Sequence, residues 1–430
     1  MKKSSKISIT LKSYTFLLLA TALLGVHILS IDLGFIQLSP YRVLLILAPF
    51  VFLNVKKRTI KQLIQSKNYG YFAFMLFWVV YSFLPIIWIK DFSAWAKMYI
   101  FLLSGFITTW YIGLYFTSKN DIINALKVVE LLSVVFGTIA LYEIFTGNYL
   151  FLNEGSLGYY QERSQLISTI GYRVPISVFS NPNNYSLFLL FSVFGSLGLS
   201  KTKKTKPGRL FSLVLTLFFI FLLIATQSRA GFIGLILGFT AYGFILIKRT
   251  NAKNFWKIIL LFVGALFFAI PWLNDNFEMF ESLITFNLNA SAGSDAIRLN
   301  LIRNGFVFLI NTFFLGVGLG NIEYYMANYG IFSTSGITNI HNWWMEILVS
   351  SGIFVFVFYI YVYLKNMKRL YKFSLLNFDK KMQHLSTIFL SFWVGFFVAS
   401  IGASSLMYNE WIWPVMAIVM ASINLYTVKN

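Results

Sequence analysis

The sequence predicts an all-α membrane protein, a single polytopic bundle of about twelve transmembrane helices over residues 1–430. Three observations predict it. Hydrophobic residues make up 58% of the chain and charged residues only 12%, whereas about a quarter of a soluble domain is charged. Apolar runs of the roughly 20 residues needed to cross a bilayer recur from end to end. The 35 Lys and Arg residues are concentrated in alternate connections between those runs. The apolar content excludes disorder. The absence of Cys excludes disulfides, thiolate metal sites and a Cys nucleophile.

In chain order the runs fall at 13–31, 36–54, 70–89, 98–117, 127–146, 182–200, 209–227, 230–248, 256–273, 343–364, 384–403 and 408–427. The first follows Lys2, Lys3 and Lys6 and contains Ala20-Thr21-Ala22, which imitates a cleaved signal. Its apolar stretch continues to Leu29, so an uncleaved helix is expected. The alternating ten-residue segments of a membrane barrel are absent, as are internal repeats and low-complexity tracts.

Charge sets the expected orientation. Both chain ends and the even-numbered connections hold 27 basic residues, against eight on the other side: Arg42, Lys90, Lys97, Arg163, Arg173, Arg229, Arg298 and Arg303. Both termini are therefore expected in the cytoplasm. The net charge of +20 suggests a nucleic-acid binder, and Lys201–Arg209 looks like a basic patch. Its position in a cytoplasmic connection instead assigns it to topology and to anionic headgroups, so membrane lipids are expected partners and nucleic acid is not.

Two external connections are long, 147–181 and 274–342, and loops of that length usually carry function. The second contains Phe306–Leu315, too short to span and expected as an interfacial or re-entrant helix. The external face holds 12 acidic residues and is not generally positive, which makes its few Arg residues conspicuous. A guanidinium donates two hydrogen bonds at once to a phosphate.

Each motif has a bland reading beside a functional one. Arg229, in Gln227-Ser228-Arg229-Ala230-Gly231, is an anion ligand or an interfacial anchor. Arg173 precedes Ser180-Asn181-Pro182-Asn183, whose Asn181 and Pro182 form an ordinary helix start that can also receive an anion. Arg298 and Arg303 are five apart and do not share a helix face; Glu281 or Asp295 would pair with them in the bland reading. Gly316-Val317-Gly318-Leu319-Gly320-Asn321 lacks the strand and lysine of a phosphate loop and reads as a glycine turn with close packing. His341-Asn342-Trp343-Trp344-Met345-Glu346 opens a helix at the external surface. Asn342 is its cap, His341 a candidate base, and the Trp pair is suited to the interface or to stacking on sugar. No zinc helix motif or clustered His set occurs, and no metal or cofactor is expected.

Ser180-Asn181-Pro182-Asn183, Ser228-Arg229-Ala230-Gly231, Arg298 followed by residues 316–321, and His341-Asn342 with Glu346 together resemble the bacterial O-antigen ligase/polymerase family, over roughly residues 160–365. Ala230 departs from it, since many relatives have a second Gly there. The resemblance implies a metal-independent membrane glycosyltransferase that moves a glycan from a polyprenyl-pyrophosphate carrier to a sugar hydroxyl. Arg229 and Arg298 would hold the donor pyrophosphate and His341 would assist the acceptor. Arg173, Arg303, Asn181, Asn183, Asn342 and Glu346 would line the substrate site. A lipid-linked donor presents its pyrophosphate at the headgroup plane, and the charge built up on departure must be absorbed by Arg or metal. Single displacement would invert the anomeric centre.

A polymerase of lipid-linked repeat units for capsule, exopolysaccharide or O-antigen is expected, on the outer face of a bacterial cytoplasmic membrane, with a flippase and a chain-length regulator as partners. A ligase of the same family is the alternative. A transporter fits the helix count less well, because few charges lie within the spans and the largest loops are external.

Overall fold

Eleven of the twelve expected apolar runs coincide with helices in a computed structural model, which describes residues 10–32, 37–66, 68–151, 171–249, 294–376, 379–403 and 405–426. The run expected at 256–273 lies outside the described residues, as do Arg163, Glu281, residues 152–170 of the first long external loop and residues 274–293 of the second. The helices are α1 (Leu11–Ile28), α2 (Pro40–Phe52), α3 (Lys57–Ile64), α4 (Tyr69–Tyr81), α5 (Phe92–Tyr115), α6 (Lys119–Thr146), α7 (Pro182–Thr202), α8 (Lys206–Ala225), α9 (Arg229–Arg249), α10 (Ser294–Asn311), α11 (Ile322–Tyr329), α12 (Trp343–Leu375), α13 (Lys380–Ala399) and α14 (Ile412–Leu425). A two-residue antiparallel pair, Ile31–Asp32 with Gln37–Leu38, joins α1 to α2. Among the described residues, eight helices are long and apolar enough to cross a membrane, and α1, α2 and α14 contribute shorter apolar helices.

The helix starts follow local chemistry. Ser39-Pro40, Asp91, Asn181-Pro182, Thr205, Asn342 and Asp379 each supply a side-chain oxygen to an exposed backbone N–H of the first turn. Ser118 and Asp121 form a reciprocal capping box at α6, which ends on left-handed Gly147.

Helix α7 lies at the centre of the bundle, 89% buried over its membrane window, packed by α6, α8, α9 and α13. Small residues allow the closest crossing: a Cβ on Gly234 of α9 would lie 2.7 Å from the Gly395 carbonyl of α13. Large aromatics, among them Trp78, Trp343, Tyr359, Tyr363, Trp393 and Trp413, fill the space between α4, α12, α13 and α14.

Basic connections share one end of the bundle. There Lys12 pairs with Asp121, Lys119 with Asp379 at 3.0 Å and Lys203 with Glu130 at 2.9 Å. Arg249 donates to the carbonyls of Ser374 and Gln383, and Asn68 meets Asn424. The starts of α7, α9 and α12 lie at the opposite end, which carries the candidate site.

Three boundaries differ from the sequence expectation. The helix over Ser294–Asn311 takes in the first half of the expected 306–315 segment and then stops at left-handed Phe313 and Phe314, both exposed. The last run is helical only over Ile412–Leu425; residues 406–408 form a separate 3-10 turn. The α12 helix is broken at Gly352, where φ is +80°. The break leaves the Val349 and Ser350 carbonyls to accept bonds from the N–H groups of Val317 and Gly318, while Ile353 N–H donates to the Phe314 carbonyl. Irregular backbone is thus satisfied from both sides, as a segment at membrane depth requires.

Candidate active site

The site is built from helix starts. Asn181 caps α7 by accepting from Asn184 N at 2.9 Å, which bears out the ordinary capping reading for that residue. Asn183, in the first turn, accepts through Oδ1 from Ser228 Oγ at 2.8 Å. Ser228 is buried, and its Oγ also accepts from Gly231 N at 3.1 Å, so it caps the helix that Arg229 opens. The chain turns into that helix through left-handed Gln227. Two of the motifs singled out in the sequence therefore touch directly, Asn183 against Ser228.

The turn after α13 joins them to a third. A Cβ on Gly402 would come within 2.8 Å of the Ala230 methyl. Two residues earlier, the Ser400 carbonyl accepts from Trp343 N at 3.1 Å. Arg229 and the His341-Asn342 pair thus flank the same 400–402 turn. Asn342 caps α12 by accepting from Trp344 N and Met345 N at 3.0 and 3.2 Å. Residue His341 holds a left-handed backbone, φ +47°, and donates its N–H to Asn339 Oδ1 at 2.9 Å.

Arg298 stands half-buried on α10. Its neighbours Ile297 and Leu301 share a small core with Ile340, the residue before His341, and with Met345. Arg303 lies on the exposed side of the same helix, within reach of Asn300 at 3.3 Å and over the Phe332 ring at 5.6 Å. Arg173 is turned to its own loop: Nε donates to the Gly147 carbonyl at 3.0 Å and the guanidinium covers Tyr149 at 5.0 Å. These contacts of Arg173 and Arg303 are with Gly147, Tyr149, Asn300 and Phe332, none of them in the 400–402 turn.

The Trp pair does not present faces for a sugar. Trp343 and Trp344 are buried, and their indole N–H groups donate inward to Tyr359 Oη and the Phe397 carbonyl, both at 2.9 Å. Both rings belong to the packed core, so the pair serves neither the stacking nor the interfacial reading. The glycine segment behaves as the sequence reading expects. Gly316, Gly318 and Gly320 have φ of +93°, +94° and +70°, and Asn321 at its end clamps residues 90–91 through Oδ1 and Nδ2.

Behind His341 lies a cleft of about 30 Å³, lined in part by Glu323, Asn339, Glu346, Ser350, Ser405 and Tyr408. Glu346 is buried and accepts from Leu406 N at 3.1 Å. Burial, then the negative charges of Glu323, Glu346 and Asp91, hold the Tyr408 hydroxyl well above the usual phenol range. Glu323, Asn339, Ser405 and Tyr408 escape a reading of the sequence, because no spacing signals a cleft assembled from α11, the 337–342 loop and the 405–408 turn. Among the described residues, no three His, Cys, Asp or Glu side chains are grouped to hold a metal ion.

The family sequence model described as O-antigen ligase matches residues 213–360, a stretch that holds Ser228–Gly231, Arg298, the glycine turn and His341–Glu346. The chain is also 28% identical over 419 residues to the teichuronic acid biosynthesis protein TuaE of Bacillus subtilis (strain 168), an alignment covering 95% of this chain and 83% of that protein. Within residues 213–360 the sequence resemblance and the geometry coincide, since the helix starts at Arg229 and Trp343 both fall there.

Proposed function

We propose that the protein is a membrane glycosyltransferase that joins polyprenyl-pyrophosphate-linked oligosaccharide repeat units into a surface polysaccharide. It works on the outer face of the cytoplasmic membrane with both termini inside. One observation carries the reading: the helix start bearing Arg229 and the helix start bearing His341 flank one turn, residues 400–402, at the end opposite the Lys-rich connections. The O-antigen ligase match supports a lipid-linked glycan as donor, and the relative named for teichuronic acid biosynthesis supports a cell-envelope polymer as product.

Arg229 and Arg298 hold the donor pyrophosphate and stabilise the charge that develops as the sugar–phosphate bond breaks. An acceptor hydroxyl attacks the anomeric carbon, its proton passes to His341, and the polyprenyl pyrophosphate leaves. Direct attack inverts the anomeric centre. Glu323, Asn339 and Tyr408, which line the cleft near His341, are groups that bond sugar hydroxyls, and they support an acceptor approaching from that side.

The family description supports a second reading, a ligase that moves finished glycan to another acceptor. The test is product sizing after incubating purified protein in lipid nanodiscs with a lipid-linked repeat unit. A ladder of lengthened lipid-linked chains is expected. Transfer of preformed chains to a separate acceptor without lengthening would establish the ligase, and neither product would refute both.

A further inference from the structure

We propose that Asn339 is a positioning residue for the reaction and acts by fixing His341; this rests on the reading of His341 as the base. The backbone of His341 is left-handed, φ +47°, a region that residues with a Cβ occupy only when their surroundings hold them there. On the chain-forward side the hold is the start of α12, where Asn342 caps two N–H groups and Trp343 N–H is bound to the Ser400 carbonyl. On the other side it is Asn339. Its Oδ1 accepts the His341 N–H at 2.9 Å.

The same amide is fixed from two further segments. Asn339 Nδ2 donates to Glu323 Oε1 of α11 at 3.3 Å and to Ser405 Oγ. Ser405 is itself left-handed, φ +45°. One side chain thus ties the peptide of His341 to α11 and to the turn before α14. Two segments that the sequence separates by 82 residues, Glu323 and Ser405, meet at it. The backbone of His341 sets the direction of its Cα–Cβ bond and the rotamers open to the ring, so releasing the His341 N–H lets the imidazole swing from the acceptor hydroxyl. A misplacement of about 1 Å costs on the order of 100-fold in turnover. Asn339 contacts the His341 backbone and not its ring in these bonds, so it acts on position and leaves donor binding to the arginines.

The test compares Asn339→Ala, Asn339→Ser, His341→Gln and the Asn339→Ala/His341→Gln double variant as full-length protein in nanodiscs, with a lipid-linked repeat unit as substrate. For Asn339→Ala, kcat is expected to fall about 10- to 100-fold with the donor KM unchanged. Asn339→Ser, whose hydroxyl can accept the same i+2 N–H, should recover part of that loss. In the His341→Gln background, the residual turnover on long incubation should not fall further when Asn339 is also replaced. An equal loss in both backgrounds, a rise in donor KM as the main effect, or a Ser variant no better than Ala would overturn the inference while leaving His341 as the base. Wild-type turnover in His341→Gln would instead overturn the base assignment on which it rests.

Discussion

Gly231→Ala tests whether the Asn183 and Ser228 motifs abut as the structure has them. A Cβ at residue 231 would lie 2.5 Å from Ser186 Oγ, 2.7 Å from Ser186 Cβ and 3.2 Å from Ser228 Oγ. The Ser186 hydroxyl can rotate away, at the loss of its 2.8 Å bond to the Asn183 carbonyl, about 1 kcal/mol. Its Cβ cannot, so the starts of α7 and α9 must separate, and overpacking of this kind costs about 1–3 kcal/mol. The total, about 2–4 kcal/mol, is a large part of a typical protein's stability. Because Arg229 is two residues away on the displaced helix start, turnover should fall by about 10- to 100-fold. The assays are a thermal melt in detergent and product sizing with the lipid-linked repeat unit. Ser186→Gly removes both offending atoms, so Gly231→Ala/Ser186→Gly should regain most of the activity that Gly231→Ala loses, a coupling that additive sites would not show. A Gly231→Ala protein as stable and active as the parent, or a double variant no better than the single, would refute the packing argument.

Arg229→Ala, Arg298→Ala and His341→Ala should each lower chain extension by about 10²–10³-fold, the range for losing one charge-stabilising donor or an acid–base group, while the proteins still insert. Wild-type chain lengths on gels of extracted polysaccharide in all three variants would remove the site assignment. At the same end of the bundle, burial pushes the Glu410 carboxyl up from its ordinary value near 4.5, and its 3.0 Å bond from Arg42 Nε only partly opposes the shift. A carboxyl raised by folding contributes stability that is fully present below the ordinary value and is lost as pH rises through the raised one. Between those two pH values the parent's melting temperature should therefore fall more steeply with rising pH than that of Glu410→Gln. Parallel slopes would show that Glu410 titrates alike in the folded and unfolded protein.

Much of this was legible in the sequence because membrane constraints act locally. The apolar runs had to become helices, and the charge alternation had to bring the even-numbered connections to one end; the Lys119–Asp379 and Arg249–Gln383 contacts show that it does. Asn181-Pro182 and Asn342 were readable for the same reason, since a cap is a short-range bond with a sequence signature. The break at Gly352 was not readable. One Gly in an apolar run is no signal, and the break is tolerated only because residues 314–318, more than thirty positions earlier, come alongside and meet its carbonyls. The role of the Trp pair was undecided for a related reason. Its inward bonds go to Tyr359 and Phe397, and the second partner lies on another helix. The candidate site falls between these cases. Each motif sits at a helix start, which sequence shows, but Asn183 meets Ser228 across 45 residues and Asn339 meets Ser405 across 66. In a bundle whose helices all cross the same layer, starts at one end have few places to go. Four motifs on one side of the membrane therefore constrain a site more tightly than their loose individual patterns suggest, and their contacts, rather than their spacing, supply the chemistry.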